Sequence, residues 1–315
     1  MLQVLPADPR TITPALSLLY GRWPDLERNL RVQEALQSVA SQKLDLEHLV
    51  VACRQGSSAV LGAALAVVRP GREAIVWLPG VAAGESTDGV AGLLLTVLAR
   101  RLDRAGVVCS VAFVDPHQAE DRKRLAFAGY PGIADLCLMQ TEVSSTTAAP
   151  SAFTRIPMEI IPWSEQRAGE FARVIEQTQK EGSDCPEVGA FRTGDDVIAS
   201  HASGAPPEPG LWQVYCRPGE TQPSAILLLG ATGRSDEFEI QYLGVVPEAR
   251  RRGFARQLLI HARMVSLARG KTRLNVAVES RNLPALSLYT ADGFHETRRY
   301  AIHLRLHPDA VPVAS

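Results

Sequence analysis

Arg250-Arg251-Arg252-Gly253-Phe254-Ala255-Arg256 puts four arginines and a glycine into seven residues. An apolar, strand-like run (239–246) leads into this stretch, and an apolar, helix-like run (258–267) follows it. A strand that turns directly into a helix leaves the first N–H groups of that helix without carbonyl partners, at the positive end of its dipole. Such an end suits phosphate-type anions. Gly253 has no Cβ, so a ligand can come close to the backbone. The chemistry these residues fit is the holding of a pyrophosphate. A second group follows in Asn282, Tyr289, Gly293 and Phe294. Asn282 is suited to cap the helix that begins after it. Helical spacing alone gives Tyr289 a packing role. Glu239 puts a carboxylate on the strand that enters the turn.

The turn reads Arg-x-x-Gly-x-Ala after Val245-Val246-Pro247. It resembles the acyl-CoA-binding motif of the GNAT superfamily of N-acyltransferases. Downstream, Asn282-Leu283-Pro284-Ala285-Leu286-Ser287-Leu288-Tyr289, continued to Gly293-Phe294, resembles the family's Asn-x-x-Ala-x-x-Leu-Tyr-x-x-x-Gly-Phe signature. The order and separation of the two motifs are those of the family, and the resemblance extends over roughly residues 153–307.

The resemblance implies acetyl-CoA as acyl donor and no metal. It assigns the pyrophosphate to Arg250, Arg251, Arg252, Gly253, Phe254, Ala255 and Arg256, mostly through backbone N–H groups. Leu243, Gly244 and Val245 would offer strand-edge groups to the pantetheine arm, with an N–H near Leu243 polarising the thioester carbonyl. Gly244 is expected to permit a bulge that parts this strand from its neighbour. Tyr289 takes the position of a general acid for the leaving thiolate. Glu239 takes that of a general base, with a water chain as the alternative route and Glu279 as a weaker candidate. Asn282 is expected to cap its helix and to touch the coenzyme.

The acceptor implied is a primary amine on a small molecule or peptide, acetylated by direct attack. The tandem layout also resembles mycothiol synthases, which acetylate a cysteinyl amine. A reading of another class is an acyl-CoA-binding sensor without turnover; the pairing of Tyr289 with Glu239 speaks against it. The acceptor pocket is expected to draw on residues 183–196, the loop 201–210 and the other domain, and the mix of Asp184, Glu187, Arg192, Asp195 and Asp196 suits an amine without naming one.

These residues need elements to hold them. The second half reads as strand 154–161, helices 166–178 and 195–201, strands 211–216, 225–231 and 237–246, helix 252–269, strand 273–278, helix 283–291 and strand 295–306. Ser164 is a candidate N-cap. The strand–helix alternation toward the end predicts parallel pairing there. Sliding the chain by 164 positions superposes Gly253 on Gly89, Gly270 on Gly106 and Gly293 on Gly129 without a gap. Glu239 then falls on Ile75, Arg250 on Ser86, Asn282 on Gln118 and Tyr289 on Leu125. The first half keeps the apolar pattern and loses the polar groups. The expected architecture is α/β, with two mixed-sheet GNAT-like domains in tandem: a degenerate copy over 1–143, a linker over 144–152, and a catalytic domain over 153–315.

Composition narrows the partners. With 33 basic and 34 acidic residues, nothing asks for nucleic acid or an anionic membrane. Five cysteines without a Cys-x-x-Cys pair, and seven histidines without zinc-ligand spacing, fit a reducing, cytoplasmic setting without metal. The first ten residues do not read as a signal peptide, and the longest apolar run, 59–68, is too short to span a bilayer. A monomer or a homodimer is expected.

Overall fold

The computed structural model describes residues 1–144, 157–182, 184–204 and 206–313. The expected linker lies outside the described residues except for Ser144. The first three residues of the strand expected at 154–161 also lie outside them.

Unit 1 comprises Met1–Ile133 and Tyr300–Ala310. Its strands are β1 (Leu2–Pro6), β2 (Leu49–Arg54), β3 (Val60–Arg69), β4 (Glu73–Val76), β5 (Gly80–Val81) and β6 (Cys109–Val114). Four helices accompany them: α1 (Ile12–Leu19), α2 (Asp25–Ala40), α3 (Thr87–Arg104) and α4 (Ala119–Phe127). Apolar residues of α3 recur at helical spacing, so Val90, Leu94, Leu95, Leu98 and Leu102 are all buried against Val50, Ala64, Val76 and Ala112 of the sheet. The sheet runs β1-β2-β3-β4-β6, with β5 also on β3.

Unit 2 comprises Ala134–Arg299 and Val311–Ser315. It holds β7 (Gly132–Glu142, from Ala134 on), β8 (Glu159–Pro162), β9 (Trp212–Cys216), β10 (Pro223–Ala231), β11 (Glu237–Val245) and β12 (Arg273–Glu279), in the order β7-β12-β11-β10-β9-β8. Its helices are α5 (Ala168–Gln179), α6 (Pro186–Gly189), α7 (Gly194–Ala202), α8 (Phe254–Ala268) and α9 (Leu283–Ala291). The element order follows the expected one, with α6 added. Ser164 makes no side-chain cap; it precedes a 3-10 turn, and α5 begins only at Ala168.

The last strand, β13 (His295–Leu306), belongs to unit 1 from Tyr300 on, where Ala301–Leu306 pairs antiparallel with β6. The residues of β7 from Leu136 to Glu142 pair with β12 in unit 2. Sequence explains the exchange. The first five residues of β13 are exposed, and its buried run is Ala301–Leu304. In β7 the buried alternation is Cys137, Met139 and Thr141. Each strand carries its apolar half where the other half of the chain uses it, so the compact units do not follow a cut at 144–152.

Candidate functional site

β11 and β12 run parallel and pair from Glu237↔Arg273 to Ile240↔Val276. There the ladder stops, although β11 continues to Val245 and β12 to Glu279. The cause lies one residue further on. Leu229 pairs with Ile240 and Leu228 with Tyr242, so Gln241 is an extra residue in β11. A bulge bends its strand and ends pairing on the far side. The bulge expected at Gly244 is therefore at Gln241, and Gly244 sits in regular register with Ile226. Gly244 is glycine for another reason: a Cβ there would lie 2.6 Å from Oγ1 of Thr178 on α5.

Beyond β11 the chain makes a 3-10 turn at Pro247–Ala249 and enters α8 at Phe254. Arg251 has φ 61° and Gly253 φ 88°, both in the left-handed region. Glycine reaches that region without penalty; an arginine there is strained. Gly253 is the N-cap residue and supplies no side-chain cap. Among the described residues, no protein group accepts from the N–H groups of Arg252, Gly253, Phe254 and Ala255. Arg251 and Arg252 are exposed beside them. A bare helix end flanked by exposed arginines fits an anionic ligand.

Arg250 has a different position from the one expected. Its guanidinium donates from Nε to the Val245 carbonyl at 3.1 Å, from Nη1 to Glu181 O at 3.2 Å, and from Nη2 to Thr178 O at 3.0 Å and Lys180 O at 2.7 Å. It satisfies the open carbonyls at the end of α5 and ties that end to β11. The side chain belongs to the scaffold of the turn and is spent on those carbonyls.

Asn282 caps α9, its Oδ1 accepting from the Ala285 N–H at 3.2 Å. Two turns on, Tyr289 is 5 % exposed, with its ring tilted against Phe294 at 5.3 Å. Burial raises the pKa of its phenol well above the usual value, and the charge of Asp184 adds to the rise. Tyr289 is therefore protonated at neutral pH and is a weaker acid than a free tyrosine. Glu239 is half-buried on β11, between Gly230 and Asn275 and two residues before the bulge. Leu243 and Val245 are half-buried beyond it, opposite Leu227 and Ala225.

The place of Tyr242 and the ties that Arg281 makes to Glu279 and Glu187 were not foreseen from the sequence. Tyr242, next to the bulge, lies 2.8 Å hydroxyl to hydroxyl from Thr178. Burial pushes its phenol up to about 12, against the pull of the Thr178 hydrogen bond. Glu279, at the end of β12, is fully buried. Its Oε1 accepts from the Arg281 N–H and Nε, both at 2.8 Å, and its Oε2 from Arg281 Nη2 at 2.8 Å and the Cys185 N–H at 3.2 Å. Burial pushes the Glu279 carboxyl up, but these donors outweigh it and hold the group below its usual value. A carboxylate so committed is not a base. Arg281 also grips Glu187 at 2.7 and 2.8 Å. The signal in the sequence was a Glu and an Arg two residues apart at the end of an apolar strand.

Among the described residues, no group of three or more His, Cys, Asp or Glu is placed to hold a metal ion, and no helix is long and apolar enough to cross a membrane.

Residues 159–294 match the acetyltransferase (GNAT) family. This part of the chain is a GNAT domain. No curated protein matches the chain. Among solved structures, a GCN5-related N-acetyltransferase from Sphaerobacter thermophilus is similar over 99 % of this chain and 98 % of its own, at TM-score 0.63 and 17 % identity. A glucosamine N-acetyltransferase region of a fungal multi-domain GH3 β-N-acetylglucosaminidase is similar over 96 % of this chain and 38 % of its own, at TM-score 0.59 and 16 % identity. A tandem GNAT protein from the clavulanic acid biosynthesis pathway is similar over 99 % of this chain and all of its own (100 %), at TM-score 0.52 and 14 % identity. At these identities the likeness is one of fold, and the fold is that of tandem GNAT proteins. In the GNAT domain, the parted β11–β12 ladder and the bare end of α8 lie on the same strand–turn–helix unit.

Proposed function

We propose that the protein is an acyl-CoA-dependent N-acyltransferase that moves acetyl from acetyl-CoA to a primary amine by direct attack, with the second unit active. The observation that carries this reading is the parallel ladder that stops at Ile240, followed within fifteen residues by an uncapped helix end. The first offers strand-edge groups to an extended arm; the second offers N–H groups to an anion. Acetyl-CoA fits both and supplies the thioester.

The chain's residues divide the work. The N–H groups of Arg252, Gly253, Phe254 and Ala255 hold the pyrophosphate, with Arg251, Arg252 and Arg256 adding charge. Leu243, Gly244 and Val245 orient the pantetheine arm, and an N–H near Leu243 polarises the carbonyl. Glu239 takes a proton from the amine, and Tyr289 gives one to the departing sulfur. Asn282 holds the start of α9 and thereby the place of Tyr289. Arg250 acts on the turn through its backbone bonds. A soluble, cytoplasmic enzyme accords with the composition.

The test is thiol release from acetyl-CoA in the presence of a panel of primary amines. Tyr289→Phe is expected to lower kcat ~10²-fold, the usual size of a general-acid contribution, with acetyl-CoA affinity little changed. Binding of acetyl-CoA without thiol release over a broad amine panel would favour a sensor.

A further inference from the structure

The bulge in β11 decides what stands beside Glu239. Residues that pair across neighbouring strands share a face of the sheet. Glu239 pairs with Gly230 and Tyr242 with Leu228, two positions apart on β10. Glu239 and Tyr242 therefore share a face, although three positions along a regular strand would separate them. Gln241, the extra residue between them, is on that face too. Its side chain lies over Gly230, where an added Cβ would meet Nε2 at 2.3 Å and Cδ at 2.4 Å. Gly230 is buried and is not among the glycines with positive φ, so its backbone makes no demand for glycine. Glycine inside a strand marks a close approach, and here the Gln241 side chain fills the room. The amide thus rests on the cross-strand neighbour of Glu239, a strand spacing of ~5 Å away.

Other polar groups around Glu239 are committed within the protein. Asn275, opposite it on β12, accepts from Gln140 Nε2 at 2.7 Å and donates to Glu237 Oε2 at 2.9 Å. Glu237 also pairs with Arg273 and Arg234. The Thr178 hydroxyl gives its one hydrogen to the Ile175 carbonyl at 2.8 Å, so the Tyr242 hydroxyl donates to Thr178. The Gln241 amide is half-buried, and among the described residues no protein group hydrogen-bonds to it. It offers an accepting oxygen and two donor hydrogens without charge. A hydroxyl matches both with one atom. In unit 1 the places of Glu239 and Gln241 hold Ile75 and Trp77, so carboxylate and amide are missing together.

We propose that Gln241 selects the acceptor: its amide binds a hydroxyl close to the amine that Glu239 deprotonates, so that the acceptor is a primary amino alcohol. The assignment rests on the transferase reading above. The hydroxyl donates to Gln241 Oε1 or accepts from Nε2, and that bond orients the nitrogen beside Glu239. An acceptor with a methyl in that place displaces water from the amide and returns no hydrogen bond.

The test is thiol release from acetyl-CoA by the full chain with 2-aminoethanol and with n-propylamine, in which a methyl replaces the hydroxyl. Each amine has the same free-base fraction in every assay. The change between proteins in the ratio of the two kcat/KM values therefore reads the contact alone. Gln241→Leu should lower the ratio of 2-aminoethanol to n-propylamine about tenfold, the size of one neutral hydrogen bond. Gly230→Ala keeps Gln241 but displaces its amide, and should lower the ratio by a similar factor. A ratio that Gln241→Leu leaves at the wild-type value, with both rates reduced equally or neither reduced, marks a packing role and overturns the assignment. So does an unchanged ratio in Gly230→Ala, or a wild type that binds acetyl-CoA and acetylates neither amine. A wild type that binds no acetyl-CoA overturns the transferase reading, and the assignment with it.

Discussion

In unit 1, Glu73, Ala74 and Ile75 of β4 pair with Cys109, Ser110 and Val111 of β6; in unit 2, Glu237, Phe238 and Glu239 of β11 pair with Arg273, Leu274 and Asn275 of β12. The registers coincide once 164 is subtracted, and both parallel ladders stop within a residue of the same point. The helix that follows differs. Helix α3 starts at Thr87, with Ser86 Oγ accepting from the Gly89 N–H at 3.4 Å and Asp88 in the first turn. Its glycine with positive φ is Gly84, and Gly89 is wound into the helix. The end that lies bare between arginines in unit 2 is capped and acidic in unit 1. Tyr289 is replaced by fully buried Leu125, and Glu239 by Ile75. Beside the parting, unit 1 has a cavity of about 260 Å³, lined by Tyr20, Trp23, Trp77 and Phe113 among others. An apolar scaffold is enough to part the strands; under the proposed function, anion binding and proton transfer depend on a few polar positions present in one half only.

The strand exchange sets the largest expected effect. A chain cut at 144 leaves the first half without Tyr300–Ala310 and the second without Ala134–Glu142. Each half expressed alone should fail to give a soluble, cooperatively melting protein, and co-expression should restore it. A first half that folds alone would show the exchange to be dispensable. Next is Arg263, 3 % exposed on α8, which pairs with Asp292 at 2.7 Å and donates to the Asp292 and Glu142 carbonyls. Unit 1 has Ala99 and Ala128 at these places. Arg263→Met should cost about 3–5 kcal/mol in denaturant unfolding by stranding a charge, and a joint Arg263→Met and Asp292→Ala change should recover much of it. A smaller loss is expected for Arg250→Met, about 1–3 kcal/mol, from unpaired carbonyls at the end of α5. Acetyl-CoA affinity should fall with it through the turn; unchanged stability would show that the clamp carries little.

The smallest effect is on pH. Folded Glu279 and Glu187 are held below their usual values, Glu279 against the push of burial and Glu187 mainly by its hydrogen bonds from Arg281. Groups depressed in the folded state stabilise it above their unfolded values, and that contribution fades as pH falls through the folded ones. The Tm difference between wild type and Arg281→Met should therefore be full at neutral pH and shrink below the ordinary carboxylate range. A difference independent of pH would remove the ion pairs from the account.

The element order, the turn at Gly253 and the cap at Asn282 were legible because each has a local cause: period, φ or a short side chain. The 164-residue repeat was legible through its glycines, and the paired strands bear it out in register. Other features were hidden because their causes are long-range. Arg250 reads as a ligand for phosphate until α5 is seen to end beside it. Gly244 reads as a bulge residue until Thr178 is seen packed on it, while the bulge itself falls at Gln241, where nothing in the local sequence marks it. The exchange of β7 and β13 is written only in which half of each strand is apolar.

Titration calorimetry of acetyl-CoA into the full chain and into Gly253→Glu tests the central claim most directly. One site per chain is expected in the wild type and none in Gly253→Glu, because a carboxylate and a strained φ at residue 253 close the bare helix end while capped α3 offers no second site. Heat that survives in Gly253→Glu would place a donor site in the first half and contradict the division of labour between the two.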